Sequence, residues 1–132
     1  MQAPNKLTPV EWEIMEIIWD LGGAPSVRDV LEHGFPNGEK AYTTILTIMN
    51  ILEKKALLKR DKIGLVNFYS PTKSRTQIVK TEMSQMLTKM FKGSVPALAN
   101  YLINSENISL KEIQTIKQMI ASKEQELKEK QA

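Results

Sequence analysis

Apolar residues recur along the first part of the chain at the spacing of one helix face: Val10, Ile14, Met15, Ile17, Ile18 and Leu21. The start of that run is locally specified. Thr8 can cap, Pro9 suits the first helical position, and Glu11 can return a bond to the cap. Gly22-Gly23 closes the helix. Trp12 and Trp19 read as core or rim packing. Glu11, Glu13, Glu16 and Asp20 make this helix a poor surface for phosphates. A second cap-like start, Ser26-Val27-Arg28-Asp29, leads into Val30 and Leu31, and Gly34, Pro36 and Gly38 keep that helix short.

The third helix, expected from about Lys40 to Lys55, has the sharpest pattern. At about 100° per residue, Ile45, Ile48, Met49 and Leu52 cluster on one side, and Thr43, Thr47, Asn50 and Lys54 fall within about 60° of one another opposite them. An ordinary solvent-facing helix carries Glu and Lys there rather than Thr and Asn. Short polar side chains allow close approach to a DNA groove, can bond base edges, and offer threonine methyls to thymine. The face therefore suits a recognition helix.

Two short strand-like runs follow, Leu57–Lys62 and Leu65–Ser70, with Ile63-Gly64 between them. Val66, Phe68 and Ser70 alternate with Asn67 and Tyr69, as in strands packed on one face, and Pro71 ends the second run. Lys59, Arg60 and Lys62 lie on the first arm. Three helices followed by a basic hairpin form a winged helix-turn-helix.

From Thr72 onward the pattern is helical only. A helix over Ser74–Lys92 has Val79, Met83, Met86, Leu87 and Met90 as an apolar stripe and ends at Gly93. Ser94–Leu102 gives a short helix, and Ser109-Leu110-Lys111-Glu112 is a capping box for a last one, whose Ile113, Ile116, Ile120 and Leu127 share a seam. The methionine stripe reads as adaptable packing. With few partners for these stripes inside the chain, Val79, Met83, Leu102, Ile113, Ile116 and Ile120 are the expected dimer interface. The fold class is mainly α with a small β-hairpin wing: a winged helix-turn-helix domain over 1–72 and a C-terminal helical dimerisation region over 73–132.

Charge sharpens this reading. Residues 1–39 hold two basic and seven acidic side chains, whereas 40–62 hold six basic and two acidic. A compact basic block after an acidic start suggests a localised phosphate-facing surface, formed by Lys40, Lys54, Lys59, Arg60 and Lys62. With no cysteine and a single histidine, His33, the chain offers no thiolate or paired-histidine metal site; no cofactor is expected. No nucleophile–base pair or glycine-rich phosphate loop is present, which argues against an enzyme. The start MQAPNKLTP has no basic flank before an apolar core, and no apolar run approaches the ~20 residues of a membrane span. The expectation is a cytoplasmic protein with no direct membrane insertion.

Leu7 through Pro71 resembles the penicillinase-repressor family, which includes the methicillin-resistance and copper-responsive repressors. The segments that carry the likeness are LTPVEWEIMEIIWDLG, AYTTILTIMNILEKKALLKR and the closing FYSP, and it continues more weakly through the tail. The resemblance implies that Thr43, Thr44 and Thr47 lie on the recognition helix, with Lys40 and Tyr42 at its entry. It implies a homodimer on near-palindromic double-stranded operator DNA with half-sites of the TACA/TGTA kind. It also implies release when a membrane sensor protease cuts an Asn–aromatic bond in the tail; in Ala99-Asn100-Tyr101-Leu102 that bond is Asn100–Tyr101. The family commonly has Arg where this chain has Ile51, and Gly where it has Ala56, so the helix is expected to end without the residue that favours a left-handed turn. Without cysteine, the metal sensing of the copper-responsive relatives is excluded. Two other readings fit the residues: release by a small ligand in the tail, and a winged-helix module for protein contact, which would call for an apolar or acidic third-helix face.

Overall fold

The computed structural model describes residues 6–105 and 107–131; residues 1–5, which open the MQAPNKLTP stretch, lie outside them. The elements run α1 (Pro9–Leu21), α2 (Val27–Gly34), α3 (Tyr42–Lys54), β1 (Leu58–Ile63), β2 (Val66–Pro71), α4 (Arg75–Phe91), α5 (Val95–Ile103) and α6 (Leu110–Gln131). This is the winged-helix order with added helices. By contacts the chain divides into two compact units, one ending at Met83 and one beginning at Ser84.

Helix starts follow local chemistry. Thr8 and Glu11 form a complete capping box on α1, Ser26 and Asp29 another on α2, and Ser109 with Glu112 the same reciprocal pair before α6. The core of the first unit gathers Ile14, Met15 and Ile18 of α1, Val30 of α2, Ile45, Met49 and Leu52 of α3, then Leu57, Leu58 and Tyr69. β1 packs against α3 and β2 against α1, and Ile78 of α4 joins the same core. Trp12 and Trp19 meet edge to face with centroids 5.9 Å apart, and Trp19 Nε1 donates to Lys73 O at 3.1 Å. Arg75 pairs with Glu16 at 2.7 Å, and Ile78 is fully buried. The first turns of α4 therefore belong to the unit that ends at Met83.

The wing is an antiparallel pair in which Arg60 faces Tyr69, Lys62 faces Asn67 and Ile63 faces Val66. The turn is Gly64-Leu65, one residue later than the expected Ile63-Gly64, with Gly64 at φ +64°. Tyr69 is the buried residue of β2, Phe68 is half-buried and Val66 exposed. Tyr69 N donates to Pro25 O at 2.9 Å, and Ser26 bridges Phe68, which ties the hairpin to the segment between α1 and α2. That tether sets the phase of the strand.

The exit from α3 is made without glycine, as expected, yet keeps the left-handed turn. Ala56 takes the left-handed conformation, φ +62°, although it is not glycine. Leu57 N then bonds to Leu52 O at 3.0 Å, and the Thr72 hydroxyl holds Ala56 O at 2.7 Å. The turn geometry survives the loss of its favoured residue because both sides of it are tied down.

In the second unit α5 and α6 contain no buried residue. Tyr101, Leu102, Met119 and Ile120 are all more than half exposed. No helix among the described residues is long and apolar enough to cross a membrane.

Candidate nucleic-acid interface

α3 owes its inward face to Ile45, Met49 and Leu52, each at 0% exposure, and this fixes the rotation of the helix. Thr43, Thr44, Thr47, Ile51 and Lys54 consequently face solvent. That strip carries no acidic side chain. Thr47 Oγ1 donates to Thr43 O at 2.9 Å, so its hydroxyl turns back onto the helix and its methyl is left as the outward group.

Asn50 is half-buried, and its Oδ1 accepts a 2.9 Å bond from the Tyr69 hydroxyl. Burial pushes the Tyr69 hydroxyl above its usual 10.0, with the nearby Arg60 opposing and Glu53 and Tyr42 adding to the rise. The phenol stays protonated at neutral pH and keeps donating. With the oxygen occupied, Asn50 has its amide hydrogens to offer outward.

The basic side chains separate into free and engaged. Lys54, Lys59 and Lys62 are exposed, whereas Arg60 lies 3.9 Å from Glu53 of α3. Alternation along β1 puts Arg60 and Lys62 on the face that meets α3 and Lys59 on the other. Lys40 is half-buried, with its ammonium 5.6 Å from the Phe35 ring centroid. Lys55, although next to Lys54, is drawn away: its Nζ binds Glu11 Oε1 at 2.8 Å and Lys6 O at 3.2 Å. Glu11 is buried at 4% exposure. Burial alone would raise its pKa, but the bonds from Lys55 and the Thr8 backbone outweigh this and hold it below the ordinary 4.5.

Sequence reading passed over Arg28. It sits exposed in the first turn of α2, and its guanidinium lies 5.5 Å over the ring of Tyr42, the first residue of α3. This stacking joins the entries of both helices and adds a cation beside the threonine strip. Only the spatial meeting of α2 and α3 brings it into view. At the tip of the wing, Ile63, Leu65 and Val66 are exposed.

The tail residues divide between the units. Val79 and Met83 line a shallow groove of about 380 Å³ with Trp12, Glu16, Arg75 and Glu82, in the unit that ends at Met83. Leu102 and Ile120 are exposed in the other unit, with Ile113 and Ile116 half-buried. Asn100–Tyr101 lies within α5. Asn104 bonds back to Asn100 O and Oδ1 at 2.9 and 2.8 Å, and the Tyr101 ring, 66% exposed, stands 6.1 Å from Phe91. Among the described residues no group of three or more His, Cys, Asp or Glu converges as a metal site would require.

Residues 7–122 match the model of the family described as penicillinase repressor. The penicillinase repressor of Staphylococcus aureus is 25% identical over 115 residues, 87% of this chain and 90% of that protein. The methicillin resistance regulatory protein MecI of Mammaliicoccus sciuri is 24% identical over 118 residues, 89% of this chain and 95% of that protein. An uncharacterised 16.5 kDa protein of Latilactobacillus sakei is 30% identical over 122 residues, 90% of this chain and 81% of that protein.

Proposed function

The chain belongs to the penicillinase repressor family, a family of transcriptional repressors, and from that premise we propose that it is a dimeric, sequence-specific DNA-binding repressor acting in the cytoplasm. The observation that carries this reading is the exposed, acid-free strip Thr43–Thr44–Thr47 on a helix whose other face is locked into the core. α3 enters the major groove with these threonines on base edges and Asn50 contributing its amide hydrogens. Lys40, Tyr42, Lys54, Lys59, Arg60 and Lys62 hold phosphates, joined by Arg28.

Dimerisation places one α3 in each half of a near-palindromic operator. A tail unit whose α5 and α6 contain no fully buried residue supports this, because apolar side chains left wet gain about 25 cal/mol per Å² on finding a partner. Val79, Met83, Leu102, Ile113, Ile116 and Ile120 supply that interface. Two linked half-site binders hold DNA far more tightly than one, so loss of the tail contacts ends repression.

The release step in this reading is cleavage of Asn100–Tyr101 by a membrane sensor protease. A protease must draw the bond out of α5, against the Asn104 bonds to Asn100, so the helix slows adventitious cutting. Footprinting of DNA upstream of the protein's own gene tests the dimeric, sequence-specific DNA binding on which the proposal rests. Two protected half-sites related by a dyad support it; uniform protection at all sequences refutes it.

A further inference from the structure

We infer that Ile51 reads a base: with the Thr47 methyl it forms an apolar patch on α3 that selects the 5-methyl group of thymine. The inference rests on the operator-reading role proposed above and deepens it. Ile51 is 40% exposed and lies outside the core of its unit. At about 100° per residue it stands about 40° from Thr47 and about 20° from Thr44, inside the strip that faces the groove. Helix propensity gives no reason to place a β-branched apolar residue at a wet position, where Lys, Glu or Gln forms helix better. Burial against a partner does give one.

The chemistry of the patch is set by its neighbours. The Thr47 hydroxyl is engaged with Thr43 O at 2.9 Å, which leaves its methyl outward beside Ile51. Together they present carbon and no free donor. Guanine and adenine show hydrogen-bonding edges in the major groove, and cytosine shows a donor; thymine alone presents a methyl group. A carbon patch therefore favours thymine and leaves the polar edges of the other bases unpaired.

The test starts with the full chain and a random-sequence duplex library. The enriched duplex is resynthesised with uracil replacing thymine at one position per half-site at a time, then titrated with the wild type, Ile51→Ala and Thr47→Ser. The expected result is one position at which uracil weakens wild-type binding about fourfold per half-site, the worth of one buried methyl. At that position Ile51→Ala binds the thymine and uracil duplexes equally, and Thr47→Ser, which keeps the hydroxyl, shows a reduced difference. Unchanged melting temperatures of both exposed-site variants exclude misfolding as the cause. Enrichment without uracil sensitivity, or an undiminished uracil penalty in Ile51→Ala, overturns the inference while leaving operator reading intact. A library that yields no enriched sequence overturns both.

Discussion

The Tyr69 hydroxyl donates to Asn50 Oδ1 at 2.9 Å, so a residue buried in the wing sets the orientation of a side chain on the flank of α3. The wing is in this way a second-strand support for the helix as well as a basic arm. Tyr69 is at 0% exposure and its backbone N–H is held by Pro25 O, so the hydroxyl approaches Asn50 from a fixed frame.

Tyr69→Phe is expected to lower stability by about 1 kcal/mol, because the half-buried Asn50 oxygen loses its donor. It is also expected to weaken specific DNA binding more than binding to random DNA, since Asn50 is freed to rotate. Chemical denaturation and paired titrations check the two parts. Equal weakening on both DNAs would remove Asn50 from base readout.

Glu11 and Lys55 make the prediction about pH. The Glu11 pKa is lowered in the folded chain, so its contribution is fully present above the ordinary value of 4.5 and is lost as pH falls through the lowered one. Glu11→Gln should cost about 1–2 kcal/mol at pH 7 and flatten the acid limb of a stability-versus-pH curve. Denaturation midpoints from pH 7 downward measure both; an acid limb of unchanged slope in the variant contradicts the assignment.

Ala56→Gly should stabilise the protein by about 0.5–1 kcal/mol. A left-handed alanine costs roughly 1–2 kcal/mol, of which the greater unfolded-state freedom of glycine returns only part. The melting temperature reports the result, and a fall would show that Ala56 packs in a way its φ of +62° does not reveal.

Thr47→Ala and Lys62→Ala should part company. The first costs about 1–3 kcal/mol on the specific site and relaxes base preference, and the second weakens all sequences alike and lowers the salt slope by about 1. Titrations at several salt concentrations separate them. Identical behaviour of the two variants on specific and random DNA would dissolve the division between reading and holding.

What was legible in the chain was local. The capping boxes at Thr8, Ser26 and Ser109 each join residues three apart, and α3's inward face follows from Ile45, Ile48, Met49 and Leu52 alone. The order of helices and hairpin followed from the same signals. Features that depend on distant partners stayed hidden. Lys55 looks like any lysine at a helix end until Glu11, 44 residues away, is folded against it. Arg28 gains meaning only when Tyr42 is under its guanidinium. Phe68 and Tyr69 are both strand-favouring aromatics, so alternation left the phase of β2 open; the bond from Tyr69 N to Pro25 O decides it. Asn50 lies where helical spacing puts it, but the reach of Tyr69 across from the wing has no trace in periodicity.

The most direct test of a two-headed reader of DNA is a fluorescence-anisotropy titration of the fragment upstream of the protein's own gene, beside a scrambled duplex, at two salt concentrations. The account predicts tight, salt-sensitive binding to the upstream fragment, well above the scramble, saturating at two chains per site. Weak binding that ignores sequence would contradict it and turn the threonine strip of α3 into a surface without a reading role.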